Sequence, residues 1–113
     1  MKLFGTSRIN EKGSLSIGGV DTIELAREFR TPLYVMDQEL IETTIDKMND
    51  AFRSSRFDTQ IAYAGKAFLT TGMIKLVESK GLDLDVVSGG EMYTAYKAGF
   101  PMERVHLHGN NKT

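Results

Sequence analysis

Lys66 stands in the segment Tyr63-Ala64-Gly65-Lys66-Ala67-Phe68, a lysine with small and apolar neighbours on both sides. An amine partly withdrawn from water loses some preference for its charged form, and the neutral amine is what condenses with an aldehyde as a Schiff base. Position alone favours the simpler reading, a solvated lysine at the end of a strand. Asp85 interrupts the apolar run Leu84-Asp85-Val86-Val87, where a carboxylate needs a partner. It could orient a histidine or a cofactor group, or equally join a structural ion pair facing a helix, and Asp83 would share its face. Ser88-Gly89-Gly90-Glu91 resembles a phosphate cradle at a helix N-terminus. A serine followed three residues later by a glutamate is also a capping box, which explains Ser88 without any ligand and is the favoured reading. His106 and His108 alternate along a strand and point to one face. No third ligand with suitable spacing accompanies them, so lining of a cofactor pocket by His108 or Asn110 is preferred to a metal site.

These groups need elements to place them. Ser14 to Val20 alternates loosely and meets Asp21, an N-cap for a short helix through Phe29 that Thr31-Pro32 stops. Leu33-Tyr34-Val35-Met36 reads as a strand, and Asp37 caps a helix whose Ile41, Ile45, Met48 and Phe52 form one stripe of a 3.6-residue period. Ser54 to Thr59 is a polar break. Ile61 to Ala64 is a short strand, and Thr70 or Thr71 caps a helix that turns Met73, Ile74 and Val77 inward and stops at Gly81. Leu84 to Val87 is the next strand, Glu91 opens a helix ending at Gly99 with Pro101 beyond it, and Arg104 to His108 is a further strand. Strand, helix, strand, helix, strand with short connections implies parallel pairing through crossovers. A doubly wound sheet and a (β/α) barrel both satisfy that order, and in both the chemistry gathers at the C-terminal ends of the strands. The candidate lysine, the Asp85 to Glu91 segment and His108-Gly109-Asn110-Asn111-Lys112-Thr113 all follow or end strands.

Composition narrows the function classes. Of 113 residues, 41% are hydrophobic and 26% charged, and 14 Lys and Arg stand against 15 Asp and Glu. A formal net charge of −1 with scattered cations argues against nucleic-acid or membrane-surface binding by broad electrostatics. The absence of cysteine excludes disulfides and thiolate metal sites. Met1 to Ser7 has no long apolar run, so neither a signal peptide nor a transmembrane span is read there and the expected location is the cytoplasm.

Taken together, the strand ends carry a resemblance. Tyr63-Ala64-Gly65-Lys66-Ala67 resembles the Tyr-Ala-x-Lys-Ala segment of the diaminopimelate decarboxylases, whose lysine carries pyridoxal 5′-phosphate (PLP). Leu84 to Glu91 is similar to that family's second-strand motif. Ala98 to Arg104, followed by His108 to Lys112, resembles the approach to the third strand and its end. Thr31-Pro32-Leu33-Tyr34-Val35-Met36-Asp37 is similar to the strand that leads into the family's barrel. The likeness runs from about Gly13 to Thr113. Phe68 departs from it, standing where many members have Asn after Lys-Ala.

The resemblance implies an α/β fold of fold type III, the N-terminal portion of a PLP-binding (β/α)8 TIM-like barrel cut after about the third barrel strand. Residues 1–36 would pack with a later β-domain, and residues 37–113 would be the first βα units of the barrel. It implies Lys66 as the catalytic, PLP-holding residue, with Ala64, Asp85 and His108 in the cofactor pocket. It implies an amino-acid substrate, meso-2,6-diaminopimelate, converted to L-lysine and CO2 by a homodimer, with no nucleic-acid or membrane partner. A barrel typically needs roughly 250 residues, so these residues alone are expected to be inactive and poorly folded, with open sheet edges and uncovered apolar faces. The nearest rivals are decarboxylases of ornithine, arginine or carboxynorspermidine on the same scaffold, which the fold does not separate. A non-catalytic PLP-binding regulatory protein is a second alternative. A nucleotide-binding doubly wound domain is weaker, because no Gly-x-Gly-x-x-Gly or P-loop follows a strand.

Overall fold

The computed structural model describes residues 3–109. The expected site segment Asn110 to Thr113 lies outside the described residues. The chain divides into two units, Met1–Ala51 and Phe52–Thr113. The helix following Asp37 falls mainly with the N-terminal unit.

In the first unit, β1 (Arg8–Ile9), β2 (Leu15–Ile17) and β3 (Val20–Asp21) form an antiparallel sheet in that order. Asn10 closes the first hairpin: its side-chain oxygen accepts from the N–H groups of Lys12 and Ser14, both at 3.0 Å. Gly18 and Gly19 make the second, with φ of +58° and +79°. A two-residue turn with both central residues in the left-handed region matches the twist of its flanking strands. The alternating run expected over Ser14 to Val20 is thus two strands folded back on each other.

The helix α1 (Thr22–Phe29) packs on β2 and β3 and is capped by Asp21, whose Oδ1 accepts from Ile23 N–H at 2.8 Å. The Asn10 amide donates to the other oxygen at 2.7 Å and, with the helix N–H groups, holds this carboxyl below its ordinary range despite burial. The helix ends ahead of Thr31-Pro32, as expected. Leu33 to Met36 is not a strand: it runs irregularly, with Tyr34 94% exposed. Apolar content marks extended chain, but a strand also needs a ladder partner, and none is present among the described residues.

Asp37 does cap α2 (Gln38–Phe52), accepting from Leu40 N–H at 3.1 Å. Its Oδ2 takes the Thr6 N–H at 3.0 Å and the Thr6 hydroxyl at 2.8 Å. The Thr6 backbone bond is the main reason this carboxyl sits below its usual range. Of the predicted stripe only Ile45 is buried, Ile41 is half-buried, and Met48 and Phe52 are exposed.

The second unit has the predicted alternation. The strands β4 (Ala62–Ala64), β5 (Asp83–Val86) and β6 (Val105–Leu107) are parallel, in that spatial order. A single 3-10 turn, Gly65–Ala67, follows β4. Then α3 (Thr71–Ser79) connects β4 to β5, and α4 (Gly89–Ala98) leads from β5 towards β6. The Thr70 hydroxyl caps α3 by accepting from Met73 N–H at 3.2 Å, and Met73, Ile74 and Val77 are buried. Ser88 caps α4, accepting from Glu91 N–H at 3.2 Å. Glu91 returns a bond to the Val87 N–H at 2.6 Å, one residue earlier than the usual reciprocal capping partner.

Register gives the sheet two unlike faces. Leu84 and Val86 are fully buried on one, and α3 packs against both β5 and α4. The other carries Ala62 opposite Asp83, and Ala64 opposite Asp85 opposite His106. No helix of the described residues is long and apolar enough to cross a membrane.

Asp83, at the start of β5, ties the sheet together. His106 Nε2 lies 2.7 Å from its Oδ2, while Gln60 Nε2 donates to Oδ1 at 3.0 Å and Arg104 Nε at 3.3 Å. Arg104 also donates to the Leu82 carbonyl. Burial pushes the Asp83 carboxyl up, but the bonds from His106, Arg104 and Gln60 outweigh it and hold it below the ordinary 3.8. A depressed carboxylate contributes stability that is complete above its unfolded value and lost as pH falls through its folded one. Asp83→Asn should therefore destabilise by about 1.5–3 kcal/mol near neutral pH, the scale of hydrogen bonds to a charged group. In urea denaturation the gap from wild type should close as pH drops below that ordinary value. A gap of the same size on both sides would show that the charge contributes nothing.

Candidate functional site

The C-terminal ends of β4, β5 and β6 lie side by side, because the strands are parallel and in continuous register. Ala64 is the last residue of β4 and pairs with Asp85, and Lys66 follows in the 3-10 turn. Beyond β6, the His108 N–H donates to the Val86 carbonyl at 2.8 Å, extending the pairing by one step. The sheet thus gathers Ala64, Lys66, Asp85 and His108 at one edge, together with the N-terminus of α4. The expectation that these residues share a place follows from topology, since helices cover the opposite face.

Each residue has a distinct setting. Lys66 is exposed and, among the described residues, makes no hydrogen bond or ion pair. The shielding considered for it from sequence is absent here: Ala67 and Phe68 beside it are exposed as well. Asp85 is half-buried and likewise has no hydrogen-bond partner among the described residues. Among the described residues the carboxylate that meets a histidine is that of Asp83, bonded to His106. His106 is the register partner of Asp85, yet its imidazole bonds Asp83, two residues earlier on the same face. His108 is exposed. Ser88 acts as the cap that its spacing indicated. No group of three or more His, Asp or Glu side chains among the described residues could hold a metal ion.

Two features of the site were not read from sequence. The Tyr63 hydroxyl donates to the Phe68 carbonyl at 2.7 Å, bracketing the Lys66 turn. Gly65 is buried against β5, where a Cβ would lie 3.0 Å from the Asp85 carbonyl oxygen. The sequence signal for both was the segment Tyr63 to Phe68 itself, but their partners are set by the turn and by a strand about 20 residues further on.

A family model for the pyridoxal-dependent decarboxylases, specifically their pyridoxal-binding domain, matches residues 38–113. The chain belongs to this family. It is 55% identical over 113 residues to the diaminopimelate decarboxylase of Bacillus methanolicus, covering all of this chain and 26% of that protein. It is 56% identical to that of Bacillus subtilis strain 168, with the same coverage. Among solved structures it resembles the diaminopimelate decarboxylase of M. jannaschii in complex with L-lysine, with a TM-score of 0.86 at 38% identity. That match covers 96% of this chain and 26% of the other. The chain thus spans about a quarter of the length of the relatives it matches.

The family cofactor is PLP, and the residues present fit it. A primary amine without an ion-pair partner among the described residues, Lys66 Nζ, stands just past the end of a parallel strand. The small side chains of Ala62 and Ala64 occupy the same sheet face as Asp85, a carboxylate without a hydrogen-bond partner among the described residues. This α/β arrangement matches the N-terminal part of the related barrels.

Proposed function

We propose that these residues serve as the first part of a PLP-dependent decarboxylase that converts meso-2,6-diaminopimelate to L-lysine and CO2. The observation that carries this reading is the shared edge of Ala64, Asp85 and the Lys66 turn at the C-terminal ends of parallel strands. High identity to diaminopimelate decarboxylases over the whole chain supports the substrate. Lys66 would hold PLP covalently through Nζ and, once substrate displaces it, stand as a free amine able to carry a proton to the substrate α-carbon. Ala64 would leave room for the cofactor, with Asp85 and His108 lining its pocket. When bound, PLP supplies the electron sink for the pair left as the bond from Cα to the carboxylate breaks. CO2 departs and a proton takes its place on Cα.

In the same proposal residues 1–36 pack with a later β-domain, residues 37–113 open the barrel, and the protein works as a cytoplasmic homodimer. The absence of any buried residue in α1 supports a covering partner for the first segment. Light scattering on the full-length protein tests the dimer.

The deciding assay supplies the full-length gene product with PLP and measures lysine and CO2 from meso-diaminopimelate. Lysine formation is the expected result. CO2 from ornithine, arginine or carboxynorspermidine, without lysine from diaminopimelate, would overturn the substrate and keep the reaction. Bound PLP with no turnover of any of these would leave a binding protein.

A further inference from the structure

We propose that Tyr63 and Gly65 are positioning residues: Tyr63 ties the two sides of the Lys66 turn together, and Gly65 seats the turn against β5. The inference rests on the reading of Lys66 as the PLP-holding amine. A lysine on a flexible stem can be aimed only as well as the backbone beneath it is held. Here that backbone is one isolated 3-10 turn, preceded by Ala64, which supplies no side-chain cap. Such a turn has poor hydrogen-bond geometry and does not support itself.

Two contacts supply the missing constraint. The Tyr63 O–H donates to the Phe68 carbonyl at 2.7 Å, so the residue before the turn is tied to the residue after it. The phenol is half-buried, and burial raises it above its ordinary range, which keeps the donor proton in place. On the other side, Gly65 is buried with its Cα close against β5. A Cβ there would sit 3.0 Å from the Asp85 carbonyl oxygen and 3.4 Å from a Leu69 methyl. The carbonyl belongs to a paired strand and yields less readily than a side chain would, so a Cβ at position 65 shifts the turn or the strand by a few tenths of an ångström. The sheet residue that Gly65 rests on is Asp85, the register partner of Ala64. Lys66 and Asp85 are therefore placed in one rigid frame.

Tyr63→Phe keeps the ring and removes only the hydroxyl, while Gly65→Ala adds only the methyl. Both are made in the full-length protein, with Tyr34→Phe at an exposed position as the control. Four quantities are read: PLP bound to Lys66 and trapped by borohydride, the rate of PLP release, the pH midpoint of the bound-cofactor absorbance, and the melting temperature without PLP. Loss of one hydrogen bond should speed PLP release by about 3- to 10-fold in Tyr63→Phe. Gly65→Ala should exceed that, and both should shift the pH midpoint, with little change in the PLP-free melt of Tyr63→Phe. Unchanged release and midpoint in both variants would overturn the proposal. A lower melting temperature with an unmoved midpoint would also overturn it, since that marks a purely structural role. If wild type itself traps no PLP on Lys66, the reading of Lys66 falls and takes this inference with it.

Discussion

Lys66→Ala in the full-length protein should lower lysine formation from meso-diaminopimelate roughly a thousandfold or more. It should also abolish borohydride-reducible PLP at that position. Two losses combine. The covalent hold on the cofactor disappears with Nζ, and so does the amine placed to carry a proton at the substrate α-carbon. Proton transfer by a positioned side chain alone contributes about a hundred- to ten-thousandfold. Structure should survive the change, because Lys66 is exposed and makes no hydrogen bond or ion pair among the described residues. Circular dichroism and the melting temperature measured without PLP should therefore match wild type. A variant that retains a tenth of the wild-type rate would show that the chemistry belongs to another amine. Lys75, Lys80 and Lys97 lie on or beside α3 and α4 and offer no equivalent place at the strand ends.

Leu84→Ala carries the largest expected cost in stability, about 3 kcal/mol within the 2–5 kcal/mol typical of fully buried leucines. Leu84 sits in the central strand of the parallel sheet, paired on one side with Tyr63 and on the other with Val105, and is 0% exposed. Its face is shared with Val86, whose side chain is equally buried. Truncation removes several methyl groups from the core and leaves a cavity that two flanking strands prevent from collapsing. Leu40→Ala, at a position 41% exposed, should cost well under half as much. Urea denaturation of both variants in the full-length protein provides the comparison. Equal midpoints for the two would mean that β5 is not the centre of this core. The catalytic prediction concerns the turn beyond β4 and the stability prediction the buried face of β5, so the two variants should fail in different assays.

Much of this arrangement was legible in the chain. Asp21, Asp37, Thr70 or Thr71, and Ser88 announced four helix starts, and Asp21, Asp37, Thr70 and Ser88 each accept from the first turn of their helix. Capping is a local bargain between a short polar side chain and N–H groups two or three residues away, so sequence suffices. The Gly18-Gly19 turn was also local, and its pair of glycines between apolar residues was a hairpin signal that went unread. Leu33 to Met36 failed for the opposite reason: its composition suits a strand, but strand identity depends on a partner elsewhere. On α2 the periodic stripe was correct as a pattern, yet only Ile45 is buried, because periodicity names a face without supplying what covers it.

The sequence by itself determined the order of strands and helices, the helix caps and Lys66 as the residue to watch, because these rest on short-range rules and on one compact motif. The tertiary structure decided what touches what. It gave His106 to Asp83, with Asp85 left unpartnered among the described residues on the same face. It closed the Lys66 turn with the Tyr63 hydroxyl and set Gly65 against the Asp85 carbonyl. The contacts of Asp83 with His106 and of Gly65 with Asp85 join residues 20 or more positions apart, and the register of parallel strands, a property of the assembled sheet, chooses them.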